Sequence, residues 1–384
     1  MRNLKIIGFF LVALTVFGLL TFYIVRRGWQ ALAGHHSGQW IFLGLTIMLF
    51  LSFPLGRILA RALPQLLSSI LGYLSGFFLA ALIYAVLFIL LIDTFRWANA
   101  LFHFFPAFIT RNPQRAGFVA FWAVLVTIGI ILIGGFIGAV YPRVRTLEMT
   151  LAKKASSVEG LNIVVASDTH LSSISRDGHL IKIVAKINRL QPDLVLLPGD
   201  IVDMDVSLSE EDKMIATLRA IQSPLGVYAV TGNHEYYGGA DKNIDYLAKA
   251  GVRVLQDEWV KVDEAFYLVG RKDRTADRMG SPRKTLSQIL EGSDSRLPLI
   301  LMDHQPFHLE EAEQNGIDLQ VSGHTHAGQL FPITLINKSM YEQYWGYWRR
   351  GKTQYYISCG VGTWGMPVRT GSVSEIVLIR IVFQ

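Results

Sequence analysis

Seven side chains of the kinds that hold hard-to-borderline metal ions recur through the second half of the chain, most of them just past the end of an apolar run. They are Asp168 and His170, Asp200, Asn233, His304, then His324 and His326. Carboxylate, amide and imidazole donors in that number suffice for two cations side by side. Two cations about 3.5–4 Å apart clamp the attacking and departing oxygens of an in-line displacement at phosphorus, and they lower the pKa of bound water toward neutrality. Hydrolysis of a phosphate ester is the chemistry such a set can do.

Spacing sharpens this. Asp168-Thr169-His170 follows an apolar run, and in extended backbone side chains at i and i+2 point to one side, so both can reach one ion. In Gly199-Asp200-Ile201-Val202-Asp203 the glycine lets backbone approach closely, and Asp200 has two oxygens for two ions. Gly232-Asn233-His234-Glu235 adds an amide oxygen from Asn233 and an imidazole, His234, able to meet a phosphate oxygen or protonate a leaving alkoxide. Asp303-His304 and Gly323-His324-Thr325-His326 supply three more imidazoles. A lone Asp-x-His arises often by chance; an ordered set of five such segments at strand-to-loop junctions does not.

Together with Tyr236-Tyr237-Gly238-Gly239, Ala327-Gly328-Gln329 and Gly362 through Arg369, these segments resemble the motif series of the calcineurin-like metallophosphoesterases over about residues 161–384. They are most similar to the YkuE/YaeI-type branch, which includes transmembrane metallophosphoesterase-domain proteins. The resemblance implies an α/β fold, a four-layer αββα sandwich of two mixed sheets with helices outside and a dinuclear centre at the sheet edge. It implies Asp168, His170 and His326 on one ion, Asn233, His304 and His324 on the other, Asp200 bridging them, and His234 as the catalytic residue. Asp203 and Glu235 are expected to orient ligands, and Arg369, after a glycine-rich turn, to touch substrate. Two divalent ions are expected; mixed oxygen and nitrogen donors suit Mn, Fe, Zn or Ni alike.

The elements that must carry these residues read as an α/β domain. Apolar runs at Ile163–Ala166, Leu194–Leu197, Val227–Val230, Val252–Leu255, Phe266–Val269, Leu299–Met302, Leu319–Val321, Tyr355–Cys359 and Ile376–Val382 alternate in part with helical periods at Gly178–Leu190, Glu210–Ile221 and Asp241–Ala250. Strand ends are where open α/β sheets place their ligands.

The first half is of another kind. Mean hydropathy is +0.34 with 17% charged residues, too apolar for an ordinary soluble protein of 384 residues. Four stretches, about Ile6–Val25, Trp40–Gly56, Leu66–Ile92 and Ala116–Tyr141, are long enough to cross a bilayer. Ala31-Leu32-Ala33 imitates a cleavage site, but Arg26 and Arg27 intervene and the first apolar run is too long for a signal peptide, so a retained span is expected. Residues 1–142 therefore read as an α-helical membrane domain of about four spans, 143–160 as a polar, helical-looking connector, and 161–384 as the phosphoesterase domain.

Charge follows the same division. Residues 1–160 hold 13 Lys/Arg and 3 Asp/Glu, leaving 23 and 27 for residues 161–384, so the halves carry +10 and −4. Basicity thus belongs to the apolar half and suits lipid headgroups, and the acidic half argues against nucleic acid. With four spans both termini share a side, and eight Lys/Arg there (Arg2, Lys5, Arg57, Arg61, Arg143, Arg145, Lys153, Lys154) against five opposite (Arg26, Arg27, Arg96, Arg111, Arg115) place the catalytic half in the cytoplasm of a multi-pass cell-membrane protein. The lone Cys359 excludes an intrachain disulfide.

An anchor keeps a site near a two-dimensional substrate pool, so the expected partners are the lipid bilayer and a phosphate ester, lipid-linked or membrane-proximal, cleaved as a diester or pyrophosphate. The alternatives are a phosphomonoesterase, including a phosphoprotein phosphatase, and a non-catalytic membrane receptor. Tyr341 through Arg350, dense in aromatics, reads either as a loop touching lipid or as a hairpin packed on its own domain. The basic stretch Arg271 to Lys284 reads as a solvated loop or a phosphate contact.

Overall fold

The computed structural model describes residues 2–59, 63–153, 155, 158–171, 177–203 and 208–384; Arg61 and Lys154 of the charge count lie outside them. The chain divides into two compact units, one of residues 1–134 with 365–367, the other of residues 135–364 with 368–384.

Long apolar sequences build the first unit as helices: α1 Arg2–Ala31, α2 His36–Leu59, α3 Gln65–Phe102, the single turn α4 Ala107–Thr110, and α5 Pro113–Val140, whose last turns belong to the second unit. Four are long and apolar enough to cross a membrane, over Leu11–Ala31, His36–Gly56, Leu66–Phe102 and Pro113–Val140. Their outer faces are Leu, Ile, Val, Phe and Trp; Trp40, Phe102 and Ile130 are each about two-thirds exposed or more, an arrangement stable only against lipid. α1 runs unbroken through Arg26 and Arg27, and the Gln114 side chain closes its end by donating to the carbonyls of Gln30, Ala31 and Ala33.

In the second unit two six-stranded sheets lie face to face. The first runs in the order β1 Arg143–Leu151, β12 Glu375–Phe383, β2 Gly160–Val165, β3 Leu194–Pro198, β4 Val227–Val230 and β5 Arg253–Val254. The second runs β10 Gly346–Arg350, β11 Thr353–Ile357, β9 Leu319–Ser322, β8 Leu299–Met302, β7 Phe266–Gly270 and β6 Glu258–Val262. Both are mixed: β2 to β5 and β7, β8, β9, β11 pair in parallel, while β12–β2, β6–β7 and β10–β11 are antiparallel.

Alternation along each strand sorts its side chains into two cores. Ile163, Val165, Leu194 and Leu196 of the first sheet meet Phe266, Leu268, Ile300 and Val321 of the second. Val164, Val195 and Leu197 face outward onto α6 Asp177–Arg189, α7 Leu208–Arg219 and α9 Ala240–Lys249 through Leu180, Ile183, Met214 and Leu247. On the far side Tyr267, Val269 and Leu301 are covered by Leu286, Ile289 and Ala312. Strands buried on both faces are why these segments read as unbroken apolar runs. The expected four layers are present.

Two strands, β1 and β6, were not legible. Arg143–Leu151, expected as part of a helical connector, is strand β1, held by parallel pairing with β12 from Arg143↔Glu375 to Leu151↔Phe383. Its exposed residues are polar or charged except Val144, so its own pattern is weak, and its partner lies more than 200 residues away. Of the two readings of Tyr341–Arg350, the hairpin holds: β10 pairs with β11, Trp348 packs on Tyr355, and Trp345 donates to Glu375 beneath the Arg145 guanidinium. β6 was also missed.

Candidate metal centre

Every donor stands past the C-terminal end of a strand of the two sheets: Asp168 and His170 after β2, Asp200 after β3, Asn233 after β4, His304 after β8, His324 and His326 after β9. Asn233 opens the short helix α8 Asn233–Gly238. Leaving a strand and turning at once into the site demands unusual backbone. Asp168 (φ 54°), His170 (φ 45°), Asp200 (φ 52°), His324 (φ 70°) and His326 (φ 49°) all lie in the left-handed region that L-residues avoid. Strain repeated at five donors marks a site held in place by its surroundings. It also corrects the extended-backbone argument. Asp168 and His170 do face one site, through left-handed turns, whereas His324 and His326, equally spaced, go to different groups.

Asp168, His170 and His326 form the first group, buried to 3% or less. His170 Nε2 lies 3.0 Å from His326 Nε2, which is 3.4 Å from Asp168 Oδ1. Asp200, His304 and His324 form the second: His304 Nε2 is 3.2 Å from Asp200 Oδ2 and 3.3 Å from Asn233 Oδ1. Donors at right angles about one cation 2.1 Å away stand about 3 Å apart, so both groups have the spacing of a ligand shell. Asp200 Oδ2 is also 4.0 Å from His170 Nε2, between the groups.

Hydrogen bonds fix which ring nitrogen is offered. His170 Nδ1 gives its proton to Asp203 Oδ1 (2.8 Å), and His304 Nδ1 to the Pro198 carbonyl (2.8 Å); both leave Nε2 as the nitrogen that faces the site. His326 differs. Its Nδ1 faces an Arg369 NH2 group at 3.1 Å, a donor only, while its Nε2 faces His170 Nε2.

Glu235, fully buried, accepts four backbone N–H groups, those of Asp200 (3.0 Å), Ile201 (2.7 Å), Val202 (2.9 Å) and Gly232 (2.6 Å), and so ties the loop after β3 to the start of α8. Asp203 Oδ1 is shared: His234 Nδ1 lies 2.7 Å away and His170 Nδ1 2.8 Å. The third cluster of donors, His170, Asp203 and His234, is therefore a hydrogen-bonded bridge. His234 itself is 22% exposed beside Tyr237.

Electrostatics fit a missing positive charge. Burial opposes a charged His170, yet Asp203 and Asp200 lift it to about 9. Burial likewise opposes His304, and Asp200 raises it well above the usual imidazole range. Burial works against an ionised Asp200, but the His304 charge and hydrogen bond pull it well below a normal carboxylate. His324 is pushed down to about 4 by burial and then by the His304 charge. Protons on His170 and His304 occupy the electrostatic place of cations, which is what a donor set built for metal does when none is bound.

Arg369 is not placed as expected. It is 2% exposed, and its five N–H groups go to the Gly362 carbonyl (twice), the His326 carbonyl, Ser372 Oγ and His326 Nδ1. None is left for a substrate phosphate; it supports His326 from behind. In the basic stretch, Arg271 and Arg283 converge on buried Asp303, beside His304, and are not solvated. Of the wall of the site, sequence reasoning singled out the stretches holding Tyr341 and Arg274 but missed Phe307: Tyr341 stands edge-on to His324 and packs at a tilt on Phe307, which lies under the Arg274 guanidinium at 4.7 Å. These residues share no local pattern.

Comparison with known proteins places the chain in a family. Residues 161–328 match the calcineurin-like phosphoesterase family model. An uncharacterized metallophosphoesterase of Helicobacter pylori is 31% identical over 71% of this chain and 71% of its own. A transmembrane protein with metallophosphoesterase domain from Danio rerio is 32% identical over 66% of this chain and 60% of its own, and an uncharacterized metallophosphoesterase of Campylobacter jejuni is 27% identical over 97% and 98%. The chain belongs to the calcineurin-like metallophosphoesterases. It is a metal-dependent phosphoesterase with four apolar N-terminal helices, a membrane protein by its helices and its relatives.

Proposed function

We infer that the protein is a membrane-anchored hydrolase of phosphodiesters or pyrophosphates, acting on a lipid-linked or membrane-proximal substrate with two divalent cations. Asp168, His170 and His326 would hold one cation, Asn233, His304 and His324 the other, and Asp200 both. The observation that carries this is the meeting of two donor groups at Asp200, each with ligand spacing. Bound there, two cations supply Lewis-acid polarisation of the phosphate and an acidic water.

The chain's residues do the rest. Asp203 holds His234 by Nδ1, leaving Nε2 to give a proton to the departing oxygen. Burial disfavours the charged ring, but Asp203 and Asp200 raise its pKa above the ordinary value, which suits an acid. Glu235 keeps the Asp200 loop from shifting against α8. Tyr237, Tyr341, Phe307 and Arg274 offer an aromatic and cationic wall for the rest of the substrate.

Residues 1–142 as anchor and 161–384 as catalytic domain complete the reading, with the catalytic side cytoplasmic on the Lys/Arg count. The test is purified protein with Mn, given bis-p-nitrophenyl phosphate and p-nitrophenyl phosphate in parallel. Faster diester cleavage is expected. Preference for the monoester turns the reading to a phosphomonoesterase, and turnover of neither leaves a non-catalytic receptor. Lipid profiles of cells with and without active protein identify the substrate, and a C-terminal reporter fusion reads the side.

A further inference from the structure

Within the helical unit α1, α3 and α5, with Phe42 of α2, line an open-sided crevice of about 90 Å³. Its walls are apolar and small, among them Ala85, Ile89, Ala120 and Ile128; its charged residues are Arg27, Asp93 and Arg96. These three form one cluster. Arg27 NH2 is 2.6 Å from Asp93 Oδ2, Arg96 NH1 is 3.8 Å from Asp93 Oδ1, and Tyr23 donates to Asp93 Oδ2 at 2.6 Å.

Two guanidiniums thus face one carboxylate, and Arg27 Nε has no hydrogen-bond partner among the described residues. The cluster is a third to a half open on its arginines, 34% for Arg27 and 49% for Arg96. Arg27 lies four residues before Ala31, the last residue of α1, about 6 Å along the axis, which is headgroup depth. From there the lining runs along α3 from Arg96 to Ala85 and along α5 from Gly117 to Ile128. Each stretch is twelve residues, eleven rises or about 16 Å, against about 15 Å for half of a bilayer's hydrocarbon core.

We propose that this crevice seats one anionic phospholipid of the surrounding leaflet, its headgroup phosphate on Arg27 and Arg96 and one acyl chain along α3 and α5. A basic pocket between membrane helices is suited to such a headgroup, and guanidinium forks match phosphate oxygens. Asp93 holds Arg27 and Arg96 in place when the seat is empty and competes with the phosphate for them. The site needs only that the helices lie in a membrane, and it stands apart from the phosphoesterase chemistry.

The test is native mass spectrometry of the full chain in detergent, titrated with dioleoyl phosphatidylglycerol, dioleoyl phosphatidylcholine, or inorganic phosphate alone. One phosphatidylglycerol per chain is expected at concentrations at least tenfold below those needed for phosphatidylcholine, with no displacement by inorganic phosphate. Arg96→Gln should weaken phosphatidylglycerol binding about tenfold and leave phosphatidylcholine unchanged. Asp93→Asn should tighten phosphatidylglycerol binding, the reverse of what a merely structural ion pair predicts, and Ala120→Leu should weaken both lipids by filling the crevice. Equal retention of the two lipids by the native chain, displacement by inorganic phosphate, or indifference to Arg96→Gln and Asp93→Asn overturns the proposal. Helix content and diester turnover, unchanged in all three variants, show that the chain remains folded.

Discussion

The helical unit and the sandwich both cluster charge, half-open in the first and buried in the second, and they are unbalanced in opposite directions. Around Asp93 two guanidiniums share one carboxylate. Around the strand ends Asp168, Asp200 and Glu235 are buried to 2% or less, and imidazoles that must take up protons balance them. An uncompensated charge is worth far more in apolar surroundings than in water, so each unit selects a ligand of the opposite sign. The first calls for an anion, the second for cations. The polar atoms are also held differently. In the helices each partner comes from a neighbouring turn or helix, while in the sandwich one carboxylate, Glu235, gathers four amides from two loops.

The contrast breaks most decisively at Asp200. Asp200→Ala should empty both cation positions and lower turnover by about a thousandfold or more, as loss of a principal electrostatic element does; two metals per chain by elemental analysis of the variant would sink the bridging role. Next is His234→Ala, expected to slow turnover about a hundredfold with both metals retained if, as proposed, the ring donates a proton and holds no cation. Loss of metal would instead make His234 a ligand.

Protons sharpen the comparison. His170, lifted to about 9, is charged at pH 7 in the cation-free chain, so a cation must displace its proton. Apparent Mn affinity should then rise with pH from 6 toward 9, by up to about tenfold per unit for each proton released. Calorimetry at pH 7 in buffers of different ionisation enthalpy reads the released protons directly, and identical heats in all buffers would contradict it.

The smallest effect belongs to Arg369. Arg369→Lys cannot make the five hydrogen bonds to four acceptors, and the loss of its buried bonds should cost about 3 kcal/mol. A fall in Tm of several degrees with KM unchanged is expected; a raised KM with unchanged Tm would restore the substrate contact that its burial argues against.

What was readable from one dimension was whatever is written locally. Twenty-residue apolar stretches name four helices because a bilayer requires that length. Runs of Val, Ile and Leu name strands covered on both faces, and Asp168, His170, Asp200, Asn233, His304, His324 and His326 stand out because each follows such a run or a glycine. Long-range pairing decided the remainder. β1 exists only because β12 aligns Arg143 with Glu375, and nothing in Arg143–Leu151 alone separates that outcome from a helix. His324 and His326 part company because left-handed backbone turns them apart, and Arg369 is drawn inward by acceptors on Gly362, His326 and Ser372. Residue type and order follow from what a donor can bind; which donor meets which, and which arginine stays at the surface, follow from register and burial that only the packed chain defines.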